Sequence, residues 1–87
     1  MQGGDITDEL DLMADLNAED DDGRGWSTLD DAVDPRRVVP RAMLLAGNTA
    51  GRAVVRISAV DPDGQVHFVI LPGSEAKNRH LIGRVVA

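Results

Sequence analysis

Between Ala53 and Leu71 apolar residues recur densely, interrupted once by Asp61-Pro62-Asp63-Gly64. Valine and isoleucine dominate both runs and suit strands. The interruption is turn chemistry, since proline presets φ and glycine supplies a left-handed residue. As a three-residue loop with a glycine bulge, it pairs Val60 with Val66, Ser58 with Phe68 and Arg56 with Ile70. Strict alternation then puts Val55, Ile57, Ala59, Val69 and Leu71 on one face. Val54, Val60, Val66, Phe68 and Ile70 fall on the other, with Arg56 and Ser58 among them. A hairpin with one wet face alternates more cleanly. The second face is therefore expected to be covered by barrel closure, by an N-terminal helix, or by another subunit.

The rest of the chain reads in shorter pieces. Ile6, Leu10, Leu12, Met13 and Leu16 fall on one arc at helical spacing, which predicts an amphipathic helix from Asp5 to about Ala18. Asp5 can cap it, and Asp8 and Glu9 suit the positive end of its dipole. Gly23 and Gly25 break it. Ser27 can cap about one helical turn over Leu29–Val33, which Pro35 stops. Arg36 to Pro40 reads as an extended connector, because a residue before proline is pushed away from helix. Ala42–Ala46 is a third apolar run. Helix is an alternative there, but Pro40 and Gly47 bracket so short a stretch that strand is preferred. After Pro72-Gly73, Ser74 can cap a short turn through Lys77–His80, and Arg84–Ala87 can return as a last strand.

The charges divide the chain. Residues 1–34 hold 12 of the 15 acids and a single base, Arg24; residues 35–87 hold 8 of the 9 bases and only Asp61, Asp63 and Glu75 as acids. The net of −6 is thus an arm of −11 (1 − 12) on a body of +5 (8 − 3). Such halves can attract each other or serve two partners. The 87 residues make one small domain, and a body of about 50 residues is near the lower limit for an unaided core. With no cysteine, thiol catalysis, zinc ribbons and iron–sulfur clusters are excluded. Absence of cysteine and of a basic-then-apolar leader points to the cytoplasm, and no apolar run reaches the length of a membrane span. Eight arginines to one lysine is a GC-rich, bacterial pattern.

Candidate chemistry is sparse. His67 and His80 lie in different elements with no acid at ligand spacing, so no metal site is expected. Asp20-Asp21-Asp22-Gly23 lacks the ligand alternation and terminal Glu of a calcium loop and reads as a solvated acidic linker. Asp61 and Asp63 are turn formers, and Ser27, Ser58 and Ser74 have no neighbouring base. No catalytic residue, metal or cofactor is expected. Arg36, Arg37, Arg41, Arg52 and Arg56, with Arg79 and Arg84, could neutralise phosphates. With only Trp26 and Phe68 as aromatics, however, stacking platforms for single strands are nearly absent. The sharper candidate is the acidic helix, whose apolar stripe needs a groove, either its own body's or a partner's.

Ala46-Gly47, Gly51 and the following Ala53-Val54-Val55-Arg56-Ile57, then the Asp-Gly hairpin and the short turn before a last strand, resemble at the level of fold the small SH3-like barrels, including KOW-type modules. That resemblance implies a binding module of transcription or translation rather than an enzyme. The expected fold is α+β or mainly β: a curved SH3-like barrel or sheet of four to five strands behind an acidic N-terminal helix. Residues 1–25 form the helix and linker, and 26–87 the β-rich domain. The expected function is a non-enzymatic interaction protein for a basic or groove-bearing protein partner. Leu10, Met13, Leu16 and Trp26 would supply apolar contacts, and Asp11, Asp15, Glu19, Asp20, Asp21 and Asp22 electrostatic ones. Alternatives are a nucleic-acid mimic or antitoxin-like neutraliser of a basic protein, a nucleic-acid module masked by its own arm, and a homodimer formed through the second hairpin face.

Overall fold

The central hairpin organises the molecule. In the computed structural model, which describes residues 10–16, 24–48 and 51–85, the strands are β1 (Leu12–Met13), β2 (Arg24–Thr28), β3 (Met43–Asn48), β4 (Gly51–Val60) and β5 (Gln65–Ile70), followed by the short helix α1 (Glu75–Asn78). They form one five-stranded sheet in the order β1-β3-β4-β5-β2, curled into a half-barrel. All neighbours are antiparallel except β1, which lies parallel to β3. Ala42–Ala46 is accordingly in extended chain, as its brackets suggested, with β3 itself beginning at Met43.

The β4–β5 pairing agrees with the expected register at its tip and departs from it beyond. Val60 opposes Val66 and Ala59 opposes His67, but the register then shifts, so Ile57 faces Phe68, Arg56 faces Val69 and Val55 faces Ile70. Ser58 is the extra residue of a β-bulge. Its physical reason is the apolar pattern itself: Ile57 and Val60 are an odd number of residues apart, so strict alternation would send one of them to water. One inserted residue returns both to the same face. Val55, Ile57, Val66 and Phe68 are consequently buried in one cluster with Leu12, Val38, Ala42, Leu44 and Ala46.

The N-terminal segment departs most from expectation. The expected helix is absent over residues 10–15, where the chain bends at Asp11 and continues as β1; the remainder, apart from Leu16, lies outside the described residues. Leu10, Leu12, Ala14 and Leu16 also fit a period of two, and an apolar sheet edge was available to them. Leu12 is fully buried, with Ala14 and Leu16 packed on the same cluster. The bend at Asp11 sends Leu10 to the opposite face, where it packs with Leu45 and Val54, flanked by Leu71 and Ile82. The expected second face is divided: Val60, Val66, Phe68 and Ile70 join Val55 and Ile57 in the main cluster, while Val54 alone of that set lies opposite, covered by Leu10 and Ile82. An expected division between residues 25 and 26 falls inside β2.

β3 shares its outer edge between two segments. β1 pairs with Ala46 and Gly47, while Val85 bridges Ala42 and the Met43 main chain bonds Gly83 and Arg84. Of the expected last strand only this bridge is present among the described residues. Curling is completed where Leu12 bridges Ala32 and where the Ser27 hydroxyl donates to the Met13 carbonyl at 2.6 Å. Pro35–Arg37 forms a 3-10 turn in place of the expected extended start to the connector, because Asp34 accepts from the Arg36 amide and caps it. The Arg36 guanidinium, then that amide, hold the Asp34 carboxyl below its ordinary range. Ser74 caps α1 as expected, accepting from the Lys77 amide.

Two substitutions in the β3–β4 hairpin separate close approach from mere flexibility. A Cβ on Gly47 would lie 2.3 Å from the Gly51 carbonyl oxygen and 2.6 Å from the Arg52 Cα, whereas one on Gly51 meets nothing within 4 Å. Gly47→Ala is expected to lower stability by about 1–3 kcal/mol through overpacking. Gly51→Ala is expected to stay within about 0.5 kcal/mol. Urea titration of both checks this. The bulge gives a second expectation. Since every pair on either side of Ser58 is already in register, deleting Ser58 should leave the protein folded, with a cooperative melt and native near-ultraviolet circular dichroism.

Candidate interaction surface at Trp26

Strand β2 explains why the single tryptophan is outside. Its sequence alternates large and small: Arg24, Trp26 and Thr28 with Gly25 and Ser27 between. The small residues face inward. Gly25 lies directly opposite Phe68, whose ring covers it so closely that a Cβ would stand 2.6 Å from the ring edge. Ser27 is buried at 5% exposure and reaches Met13. Alternation then obliges Trp26 to project from the outer face, where it remains 55% exposed.

Two shallow grooves meet at this indole. The first, about 610 Å³, runs over the outer face of β2, β5 and β4. Trp26, His67 and Ala59 form one cross-strand row of it, and Arg24, Val69 and Arg56 the next. Among the described residues its lining holds two arginines and a histidine and no carboxylate. The His67 Nε2 stands 3.0 Å from the Asp61 carboxylate, which anchors that ring from the hairpin tip. The second groove, about 190 Å³, lies where β1 and β2 approach, between Met13, Ala14, Asp15, Trp26, Ser27 and Asp31. Among the described residues it holds two carboxylates and no base. Asp31 accepts from the Ser27 and Thr28 hydroxyls, which fixes its position.

The expected contact residues therefore divide. Trp26, Met13 and Asp15 are brought together. Leu10 is 2% exposed beneath Leu45 and Val54 and belongs to the core, and Leu16 packs on the main cluster. Asp11 is engaged inside the chain: one carboxylate oxygen accepts from the Leu45 amide at 3.0 Å and the other from Arg37 at 2.8 Å. Glu19, Asp20, Asp21 and Asp22 lie outside the described residues.

The arginines proposed for phosphates do not form one face. Arg36 bonds Asp34, Arg37 bonds Asp11, and Arg52 and Arg79 share the two oxygens of Glu75. Arg41 occupies a turn with φ of 73°, its amide donating to the Ile57 carbonyl. Arg56 alone of the expected set joins the Trp26 surface, where Arg24 and His67 accompany it. Those two were missed by sequence reasoning. The large–small alternation of residues 24–28 was the available signal, masked by reading Gly25 as a helix breaker. Among the described residues no three potential metal ligands converge, and no helix is long and apolar enough to cross a membrane. Comparison with protein-family models, curated proteins and solved structures returned no match.

The Asp11 arrangement yields a stability test. Asp11→Ala leaves the buried Leu45 amide without its acceptor and should cost about 1–3 kcal/mol. Asp11→Asn keeps an acceptor oxygen and should cost less. Chemical denaturation of the two variants beside the wild type measures the ordering.

Proposed function

We propose that this chain is a non-enzymatic protein-interaction module, built on an SH3-like curled sheet, whose contact surface is centred on Trp26. The observation that carries the reading is the half-exposed indole at the junction of two grooves. Tryptophan is expensive to leave in water and is the residue type most often found at the energetic centre of protein interfaces, with arginine close behind. Met13, 36% exposed beside it, adds an adaptable apolar contact. Asp15 and Asp31 give that side of the surface an acidic rim suited to a basic stretch of a partner.

This reading keeps the interaction class and the basic partner while moving the contact element. A helix laid into a partner's groove would need Leu10 and Leu16 outside, and both are packed on the chain's own sheet. Trp26 and Met13 instead present a rigid patch on strands, which lowers the ordering cost of binding.

Wild type and Trp26→Ala, matched for thermal stability, provide the test as baits in quantitative affinity purification. Because Trp26 is half-exposed, Trp26→Ala should cost no more than about 1 kcal/mol of stability. Specific prey lost from the variant and retained by the wild type is the expected result. Identical prey from two equally folded baits would remove the reading.

A further inference from the structure

Beyond Trp26 the surface continues along β2 to the hairpin tip, where a further cleft opens. The Leu29 amide donates to the Gly64 carbonyl at 2.8 Å, which holds the 3-10 turn Leu29–Asp31 against the β4–β5 hairpin. A cleft of about 300 Å³ lies between the two, lined by Thr28, Leu29, Asp30, Pro62, Asp63 and Gly64. Asp30 and Asp63 are exposed there, and neither carboxylate has an ion-pair or hydrogen-bond partner among the described residues. Every lysine, arginine and histidine of the chain is among those residues. No basic side chain of this protein therefore neutralises either group. From this we infer that the Trp26 surface extends to the hairpin tip and takes an extended basic peptide segment. An apolar residue of the segment rests on Trp26 and Met13. An arginine or lysine three or four positions away seats in the Leu29–Pro62 cleft beside Asp30 and Asp63. The inference rests on the interaction-module reading and adds the chemistry of the partner and the spacing of its contacts.

The cleft selects a cation carried on a stem. Leu29, itself packed on the main cluster, and Pro62 give it apolar surface. The methylenes of lysine or arginine can lie against that surface while the charged head reaches the carboxylates. A bare metal ion fits less well, since no three potential ligands converge among the described residues. The walls are fixed before binding, which lowers the ordering cost. The Gly64 amide bonds the Asp61 carbonyl at 2.9 Å, the Asp61 amide bonds the Gln65 carbonyl at 2.8 Å, and the Ala32 amide closes the 3-10 turn on the Leu29 carbonyl at 3.1 Å. Asp31, from the same turn, lines the groove beside Trp26 and Met13 and adds a third carboxylate along the path. The spacing follows from strand geometry. Leu29 stands three residues beyond Trp26, about 10 Å at the rise of a strand, and an extended peptide covers that span in three residues. Phosphates of a nucleic acid would meet these carboxylates with like charge.

The probe is a displayed library of random 12-residue peptides, selected on the full chain at physiological salt and counter-selected on Trp26→Ala, with enriched peptides then synthesised. Trp26 is the sole tryptophan, so its emission reports binding directly when the peptides lack that residue. Enriched sequences should place an arginine or lysine three or four positions from an apolar residue. Asp30→Lys/Asp63→Lys, which reverses both charges, should weaken them at least about tenfold. Asp63→Asn, which removes one charge, should weaken them by up to about fivefold, the reach of an exposed ion pair. Exchanging the cation of the peptide for glutamate should restore binding to the doubly substituted chain, a reversal that mere structural damage does not produce. Melting curves for each variant establish that it is folded, and Asp30→Lys alone, outside the hairpin turn, replaces the double substitution if that one is not. Trp26-dependent peptides without the spaced cation, or with unchanged affinity for the substituted chain, would overturn this inference and leave the interaction module standing. Absence of any Trp26-dependent peptide would remove both. A single-stranded 12-mer of dT is the competing arm. If it displaces the peptides, the surface takes nucleic acid and the inference fails.

Discussion

Two hydrogen bonds between Asp11 and Leu45 hold the N-terminal segment in place, and much of the architecture depends on them. The Asp11 amide donates to the Leu45 carbonyl at 2.8 Å, and the Leu45 amide donates to the Asp11 carboxylate at 3.0 Å. In a longer parallel strand the second bond would be made by a main-chain carbonyl. β1 is only two residues long, so a side chain supplies the acceptor that the strand lacks. The same carboxylate binds Arg37, and the Asp11 carbonyl accepts from the Val33 amide. Four segments of chain are thereby tied at one residue. Without it, the β3 edge would lose its cover and Leu10 and Leu12 their burial.

The bulge at Ser58 is a second constraint of the same kind. β4 is ten residues long and pairs with β3 along its first half and with β5 along its second. Apolar residues at Val55, Ile57 and Val60 can share one face only if the strand skips a residue, and Ser58 is the one expelled. The sheet curls until Ser27 on one edge strand reaches Met13 on the other. Closure in turn brings Met13 beside Trp26. The proposed interaction surface is therefore a product of how the sheet curls.

Charge is arranged by the fold on a finer scale than along the chain. The acidic first third and basic remainder suggest two poles. Folding instead neutralises several of those charges locally, in Arg37 with Asp11, Arg36 with Asp34, and Arg52 and Arg79 with Glu75. Around Trp26 the described lining holds Arg24, Arg56 and His67 on one side and Asp15 and Asp31 on the other. The exposed Arg36–Asp34 pair adds little stability, whereas the Arg52 and Glu75 side chains are only 19% and 21% exposed.

How much could be read without the fold follows from the range of each interaction. The central hairpin, its turn, the strand at Ala42–Ala46 and the Ser74 cap depend on neighbours within a few residues, and all were legible in local pattern and turn chemistry. Residues 10–16 were not, because Leu10, Leu12 and Leu16 fit both a helical stripe and an alternating strand. Only the presence of an unpaired β3 edge, more than 30 residues away in sequence, decides between them. Trp26 was named as a contact from the sequence, but the cause of its exposure was hidden, since it follows from Gly25 lying under the Phe68 ring. Local sequence thus determined which segments extend and turn. Tertiary structure decided which edge each segment joined and which charges were left outside, since both are settled by contacts between residues far apart in the chain.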